Sequence, residues 1–207
     1  MRTLIDIDPG LHVEDLEDIY NQPKVIRVNE FDEKALEEFE EDMDEAHQTG
    51  QPVIPVVIDS YGGSAYGVLG MIASVEASKI PVATILTSKA MSAGAILFSF
   101  GHEGYRFMHP EAWMMIHDVG SVTNGKIEEI KADTKQLDKL NDRLYRRVSL
   151  HLGHEAGFFS ELIKKNHHID WFLTAKKAKK LNIANHLTIP RFEVKIGLDV
   201  KFHWEAK

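Results

Sequence analysis

The sequence predicts an α/β fold in which apolar strands and helices alternate along the chain. Val53–Asp59 and Val82–Thr87 are apolar or β-branched almost throughout, which is typical of parallel strands buried on both faces. Between them, Ala65–Ala77 has the length and apolar content of a packed helix. This strand–helix–strand order indicates stacked, parallel ββα-like units.

The elements around this unit continue the alternation. Val25–Val28 predicts a short strand, and an acidic stretch with apolar residues at helical spacing predicts an amphipathic helix that stops at Gly50. Pro55 is expected at the edge or the start of its strand, because proline has no N–H to give to a neighbour. After Thr87 the pattern predicts a helix, a strand and a long helix, over Ser92–Phe100, Trp113–His117 and Lys126–Leu152.

The last part of the chain predicts two shorter helices and a strand. One helix lies near Glu155–Lys164, and the other is capped by Thr174 and ends at Asn182 in the left-handed conformation. Over Arg191–Phe202 apolar residues alternate strictly with mostly charged ones, which predicts a half-buried strand. Such a strand needs a partner, and its own subunit and a neighbouring one are equally suitable.

The long helix suggests an oligomer. Apolar residues repeat at intervals of seven at Ile130, Leu137 and Leu144. At 1.5 Å per residue the helix reaches about 40 Å, which exceeds what a compact domain of this size needs. We expect the apolar stripe to pack on a second subunit, and a core helix lying along the sheet is the alternative.

Length and composition fit one soluble domain with short extensions. The chain has 207 residues, of which 43% are hydrophobic and 27% charged. We expect an N-terminal arm over residues 1–23, a main domain over 24–190 and a C-terminal extension over 191–207. The acidic N-terminal stretch lacks the layout of a signal peptide, and no apolar run reaches the roughly 18 residues of a membrane span. The sequence therefore predicts a cytoplasmic protein.

Charge, cysteine content and motif checks exclude several kinds of site. The net charge of −8 disfavours nucleic acid and anionic membranes as partners. The absence of cysteine excludes disulfides, a thiol nucleophile and thiolate metal sites. Residues 120–126 match a phosphate-binding loop pattern but lack the Ser or Thr that follows it, and the histidine pairs 151/154 and 167/168 lack further ligands. We expect no metal and no cofactor.

Three residues are candidates for nucleophilic catalysis. Ser92 follows an apolar strand and opens a helix among small neighbours, which allows a substrate close approach; an N-cap serine in a packed helix is the alternative. His117 ends a strand, where it can serve as a base, and Asp170 can orient the imidazole. From spacing alone, the glycine pair in the loop Ser60–Ser64 fits an oxyanion site and a plain turn equally well.

Taken together, four ordered motifs resemble the ClpP-type proteolytic subunit of the Clp protease. The segment IDSYGGS is similar to that family's I-N-S-P-G-G-S, and MSAGA resembles its A-S-M-G-A nucleophile turn. WMMIH resembles its M-I-H segment, and DWFLTA its D-R-F-L-S-A segment. These motifs occupy Ile58–Ser64, Met91–Ala95, Trp113–His117 and Asp170–Ala175.

The resemblance implies a serine endopeptidase that cleaves peptides or unfolded proteins. It makes Ser92 the nucleophile, His117 the general base and Asp170 its orienting partner, with the backbone N–H groups of Gly62 and Ala93 as the oxyanion hole. It implies the ClpP/crotonase-like spiral of ββα units as the fold of residues 24–190. The extra C-terminal strand would be an addition to it.

The resemblance also implies an assembly. The segment of about 119–152 corresponds to the family's handle, through which two heptameric rings stack. In the family a separate ATPase unfoldase delivers substrates, but Val56 and Ile58 stand where the family typically has the aromatic residues that dock it, which disfavours that partner here. Asp118-Val119 stands where the family has Gln-Pro, and Ile169 where it carries an arginine that pairs across rings. These departures are those of a divergent homologue, and a phage origin is consistent with them.

Two other functions fit parts of the sequence. A catalytically silent ClpP-like scaffold would keep the fold and the oligomer, but it has no reason to retain all three candidate residues. A crotonase-like enzyme acting on acyl-CoA thioesters would use similar backbone donors without needing a serine, a histidine and an aspartate in this order.

Overall fold

The computed structural model describes residues 23–120 and 124–191, which form one mixed sheet and the helices packed around it. The strands within these ranges are β1 (Ile26–Val28), β2 (Ile54–Ser60), β3 (Val82–Met91), β4 (Arg106–Met108), β5 (Trp113–Ile116) and β6 (Trp171–Thr174). The helices are α1 (Glu33–Gln48), α2 (Ala65–Ala77), α3 (Ala93–Ser99), α4 (Ile127–His151), α5 (Phe158–Lys165) and α6 (Ala175–Lys180). The predicted α/β class is confirmed.

The strands lie in the order β1-β2-β3-β5-β6, with β4 also paired to β3. All neighbouring pairs are parallel except β5 and β6, which run antiparallel. Strand β3 is ten residues long and has two partners on one side: Thr84–Leu86 pairs with β4, and Lys89–Met91 pairs with β5. The sheet therefore changes partner along β3, just before Ser92.

Local sequence explains the ends of several elements. The Asp32 carboxylate caps α1 by accepting the Ala35 N–H at 2.8 Å, and the Ser64 side chain caps α2 in the same way. Pro55 is the second residue of β2, and the pairing of β2 with β1 begins only at Val56. Proline is thus placed where it interrupts no ladder on that side, as the sequence predicted.

The core lies between the sheet and the helices and includes one fully buried cation. Arg106 has no exposed surface, and its guanidinium donates to the carbonyls of Gly101, Asn182 and Ile183 and to the Glu103 carboxylate. These bonds fasten the segment after α6 against β4. A buried arginine is tolerated here because its donors are matched by acceptors.

Helix α4 has a free half and a packed half. It has 25 residues and is about 37 Å long at 1.5 Å per residue. Most residues before Leu140 are exposed, among them Ile127 and Ile130, whereas Leu140, Leu144 and Val148 are buried. The predicted long helix is confirmed, and its packing against a second subunit stays a prediction.

Some predictions concern other parts of the chain. The N-terminal arm lies outside the described residues except at residue 23, and the strand predicted over Arg191–Phe202 does so beyond Arg191. The domain limits therefore stay predictions. Asn182 has a φ of 55°, as expected for the end of α6.

Candidate active site

Ser92 occupies a strained turn between β3 and α3. Its φ and ψ of 53° and −119° lie in a region that residues other than glycine rarely adopt. The Ser92 N–H donates to the Met115 carbonyl of β5 at 2.8 Å, which extends the β3–β5 pairing by one residue. The Ser92 side chain makes no capping bond to α3, so the interpretation of this residue as a plain N-cap does not hold.

His117 reaches Ser92 because of strand register. Met91 pairs with Met115, so the residue directly after β5 lies diagonally across from the residue after β3. The His117 Nε2 atom lies 2.7 Å from the Ser92 Oγ atom, within hydrogen-bonding distance. The structure thus brings together two candidates that are separated by 25 residues.

Asp170 lies on the other side of the imidazole for the same reason. In the antiparallel pair β5–β6, Trp171 lies opposite Ile116, so the next pair in register is Asp170 and His117. The distance from His117 Nδ1 to Asp170 Oδ1 is 3.8 Å, an ion-pair distance that is longer than a hydrogen bond. The Asp170 side chain is 58% exposed, compared with 32% for His117.

Gly62 packs directly against the turn that carries Ser92. Its φ is 103°, and a Cβ atom there would lie 2.7 Å from the Ser92 Cβ and 2.8 Å from the Met91 carbonyl oxygen. The positive φ and the lack of room for a Cβ atom both require glycine at this position. This contact explains why a glycine loop follows β2 beside the serine turn.

The backbone N–H groups near Ser92 differ in whether they already donate a hydrogen bond. The Gly62 N–H, which the sequence predicted as an oxyanion donor, already donates to the Ser60 Oγ at 3.0 Å. The Ser60 hydroxyl in turn donates to the Asn29 carbonyl. Gly63 lines the cavity beside Ser92, and neither its N–H nor that of Ala93 has an acceptor within the described ranges. The roles of Gly62 and Ala93 stay predictions.

A cavity of about 460 Å³ opens beside Ser92 and His117. Its walls come from the start of α2, from α3, from the segment after β5 and from the middle of α4. Most of the wall is apolar, formed by Ala65, Val68, Ile96, Val119 and Leu144. Such a cavity suits an uncharged, apolar group next to the serine hydroxyl.

Residues of α4 hold the segment after β5, a role that sequence reasoning missed. The Tyr145 hydroxyl donates to the His117 carbonyl, and the Asn141 amide bonds to the Asp118 carboxylate and the Val119 N–H. Burial raises the pKa of Tyr145, and the nearby charge of Asp118 raises it further. The available signal was the spacing of four between Asn141 and Tyr145, which places both on one helix face.

The described residues contain neither a metal-binding cluster nor a membrane-spanning helix. Across 23–120 and 124–191, no group of three or more His, Asp or Glu side chains is arranged to hold a metal ion. In the same part of the chain, no helix combines the length and the apolar character needed to cross a bilayer.

Comparison with known proteins identifies the family to which the chain belongs. The family model described as Clp protease matches residues 12–190. The chain therefore belongs to the Clp protease family, as the sequence motifs indicated.

The chain is similar to proteolytic subunits from several bacteria. It is 28% identical over 143 residues to the ATP-dependent Clp protease proteolytic subunit 1 of Salinibacter ruber, a match that covers 69% of this chain and 59% of that one. For the subunit 1 of Rhodopirellula baltica the identity is 29% over 136 residues, covering 66% and 58%. For the proteolytic subunit of Bacteroides fragilis it is 28% over 138 residues, covering 67% and 65%. The matches thus span less than two thirds of these relatives.

Proposed function

We propose that the protein is a serine endopeptidase that cleaves peptides or unfolded polypeptides. The observation that carries the proposal is the 2.7 Å contact between His117 Nε2 and Ser92 Oγ at a strained turn. A serine hydroxyl is a weak nucleophile until an adjacent base accepts its proton. Strain at a non-glycine residue persists only where the surrounding structure enforces it, which fits a site built for chemistry.

The reaction would proceed by acylation and deacylation. His117 takes the Ser92 proton as the Oγ atom attacks the scissile carbonyl carbon, and it then gives that proton to the departing amine. Water, deprotonated by the same imidazole, attacks the carbonyl carbon of the acyl-enzyme. The bond from that carbon to Ser92 Oγ breaks, the imidazolium returns the proton to Oγ, and the second product leaves as a carboxylic acid. Asp170 would orient the imidazole and stabilise its cation once the 3.8 Å gap closes to hydrogen-bonding distance.

The oxyanion would be held by backbone N–H groups. Ala93 supplies one, since it follows the nucleophile directly and opens α3. For the second donor, Gly63 suits better than Gly62 in this geometry, because the Gly62 N–H is engaged by Ser60. Donation from Gly62 would first require that bond to break.

The cavity beside Ser92 suggests the residue preferred next to the cut. Its apolar walls would leave a charged side chain without a partner and would accommodate leucine, methionine or phenylalanine. A series of fluorogenic peptides that differ only at this residue tests the preference. We expect kcat/KM for leucine to exceed that for glutamate at least tenfold, and equal values would contradict the assignment of this cavity.

We further propose a homo-oligomeric ring chamber in which residues of about 119–152 form a handle between stacked rings. Supporting it are the exposed apolar residues Ile127 and Ile130 at the free end of α4. The names of the relatives describe proteolytic subunits of ATP-dependent proteases. These names make a separate ATPase unfoldase the partner to test for this chain.

The first test is intact mass after treatment with a fluorophosphonate, which labels activated serines. We expect one adduct per subunit in the wild type and in Ser160→Ala, a matched control on α5. Ser92→Ala should give no adduct and keep less than a few per cent of the peptidase activity. Alanine fits the left-handed backbone no better than serine, so the variant carries the same strain and should fold equally well.

A catalytically silent scaffold is the alternative that this experiment eliminates or supports. Native mass spectrometry of the same samples reports whether the subunits assemble. An assembled oligomer with no adduct would support the scaffold and contradict the peptidase. An adduct that persists in Ser92→Ala would assign the nucleophile to another residue.

The reaction should also depend on pH in a defined direction. The base must be neutral to accept the serine proton, so protonation of His117 stops the reaction. We expect kcat/KM to fall as the pH is lowered into the acid range. A rate that stays constant down to pH 5 would contradict general-base catalysis by His117.

A further inference from the structure

A second histidine–carboxylate pair lies next to the proposed catalytic one. The His168 Nδ1 atom lies 2.5 Å from the Asp118 Oδ2 atom, although the two residues are 50 positions apart. Asp118 directly follows His117, and His168 precedes Asp170 by two residues. The pair therefore joins the segment that carries the proposed base to the segment that carries its proposed partner.

One half of this pair is held firmly by α4. The Asn141 amide donates to the Asp118 Oδ1 at 2.8 Å and accepts the Val119 N–H at 2.9 Å. The Tyr145 hydroxyl holds the carbonyl of His117 one residue earlier. Each Asp118 oxygen thus has its own partner, which fixes the direction in which the carboxylate presents itself to His168.

The other half sits on a strained segment. His167 and His168 have successive φ values of 58° and 57°, both in the left-handed region. The backbone bonds around them run to Ile163 and Lys164 of α5, so they define the shape of the turn. These backbone bonds do not fix the distance between the turn and the end of β5. That distance depends on the β5–β6 pairing and on the His168 side chain.

Since His117 and Asp170 are 3.8 Å apart, a movement of about 0.6–1 Å decides whether they share a hydrogen bond. We propose that Asp118 and His168 form a positioning latch that holds Asp170 opposite His117. The inference rests on the proposed function, since it assigns the latch to that triad. Asp118 and His168 touch no reacting atom, and both act through Asp170.

The test compares two neighbouring histidines. His168→Phe keeps an aromatic ring and removes both ring nitrogens. His167→Phe makes the same change at the same backbone conformation, at an exposed side chain with no hydrogen bond or ion pair inside the described ranges. We expect His168→Phe to lower kcat about fivefold with KM unchanged, equivalent to about 1 kcal/mol. His167→Phe should leave both constants unchanged.

Two further variants separate a latch from a general structural effect. His168→Gln keeps an N–H that can donate to Asp118, and we expect it to recover most of the lost kcat. In the double variant Asp118→Asn/His168→Phe, kcat should fall no further than in His168→Phe alone, because the two residues act as one unit. Additive losses would contradict the pairing.

Hydrogen–deuterium exchange tests the latch without any turnover. We expect the amides of residues 166–171 to exchange faster in His168→Phe than in His167→Phe. Equal exchange in the two variants, or faster exchange with an unchanged kcat, would overturn the proposal. Failure of the wild type to react with a fluorophosphonate would instead refute the proposed function, and the exchange experiment would still decide whether the latch exists.

Discussion

Replacement of Gly62 by alanine tests how the turn that carries Ser92 is built. The new Cβ atom would lie 2.7 Å from the Ser92 Cβ and 2.8 Å from the Met91 carbonyl oxygen, at a φ of 103°. Real Cβ atoms do not approach other atoms this closely, so the serine turn or the glycine loop must move. Gly104→Ala is the matched control, because Gly104 has a φ of 82° and no atom within 4 Å of its Cβ position.

The two substitutions share a backbone cost and differ in overlap. A non-glycine residue in the left-handed region costs about 1–2 kcal/mol, which is the whole effect expected at Gly104. Overlap in a packed site adds about 1–3 kcal/mol. We therefore expect Gly62→Ala to lower the free energy of unfolding by about 2–5 kcal/mol, so that the difference between the variants isolates the contact with Ser92.

Urea unfolding at one fixed protein concentration measures the stability difference, since an oligomer's stability depends on concentration. The rate of labelling by a fluorophosphonate reports on Ser92 in the same samples. Gly62→Ala should label more slowly than Gly104→Ala by at least tenfold. If both variants lose equal stability and label at the wild-type rate, the close packing of Gly62 on the serine turn is not what fixes the nucleophile.

Three more predictions concern the supports of the fold. Arg106→Met leaves the Asn182 and Ile183 carbonyls without their donor, removes one of the two partners of the Gly101 carbonyl, and should cost about 3 kcal/mol in urea unfolding. Tyr145→Phe removes the bond to the His117 carbonyl and should cost about 1 kcal/mol and lower kcat. Burial lowers the pKa of His151 from its ordinary 6.5, so the unfolded state takes up the proton first and stability is lost as pH falls below 6.5. His151→Gln should reduce that loss, as measured by unfolding at pH 7.5, 6.5 and 5.5.

Each of these has a result that would contradict it. Arg147→Met removes an arginine from a partly exposed pair with Glu76 and should cost under about 1 kcal/mol, so an equal effect at Arg106 would refute the role of its buried bonds. Full activity in Tyr145→Phe would show that the carbonyl bond does not support the site. An identical pH dependence in His151→Gln and the wild type would assign the acid sensitivity to other groups.

Elements with strong local signals were predictable, and not every short strand was. Helix α2 has the predicted limits of Ala65–Ala77, because an apolar run preceded by a serine cap defines both the helix and its start. Strands β4 and β6, of three and four residues, were not predicted, although β1 and β5 of the same lengths were; β4 and β6 are defined by pairing with distant strands rather than by a pattern of their own. Helix α5 begins at Phe158, three residues later than predicted, since Glu155 belongs to the turn before it.

At the candidate site, the sequence predicted which residues take part, but it did not predict all of the contacts between them. The motifs singled out Ser92, His117 and Asp170, and strand register explains why they meet. That Ser60 engages the Gly62 N–H depends on a side-chain rotamer, which a motif does not specify. The pairing of Asp118 with His168 spans 50 residues, and the sequence offered only an unusual aspartate and a histidine doublet.

The proposed triad draws on parts of the sheet that differ in local stability. Ser92 follows β3, the longest of the described strands, which is hydrogen-bonded on both sides, whereas Asp170 precedes β6, a four-residue strand at the edge of the described sheet. Edge segments open with less free energy than central ones, so β6 can detach while β3 stays folded. Mild denaturant should then abolish turnover well before the global unfolding transition. The turn that carries Ser92 would then stay folded, and activity would be limited by the local opening of β6, which requires the least free energy.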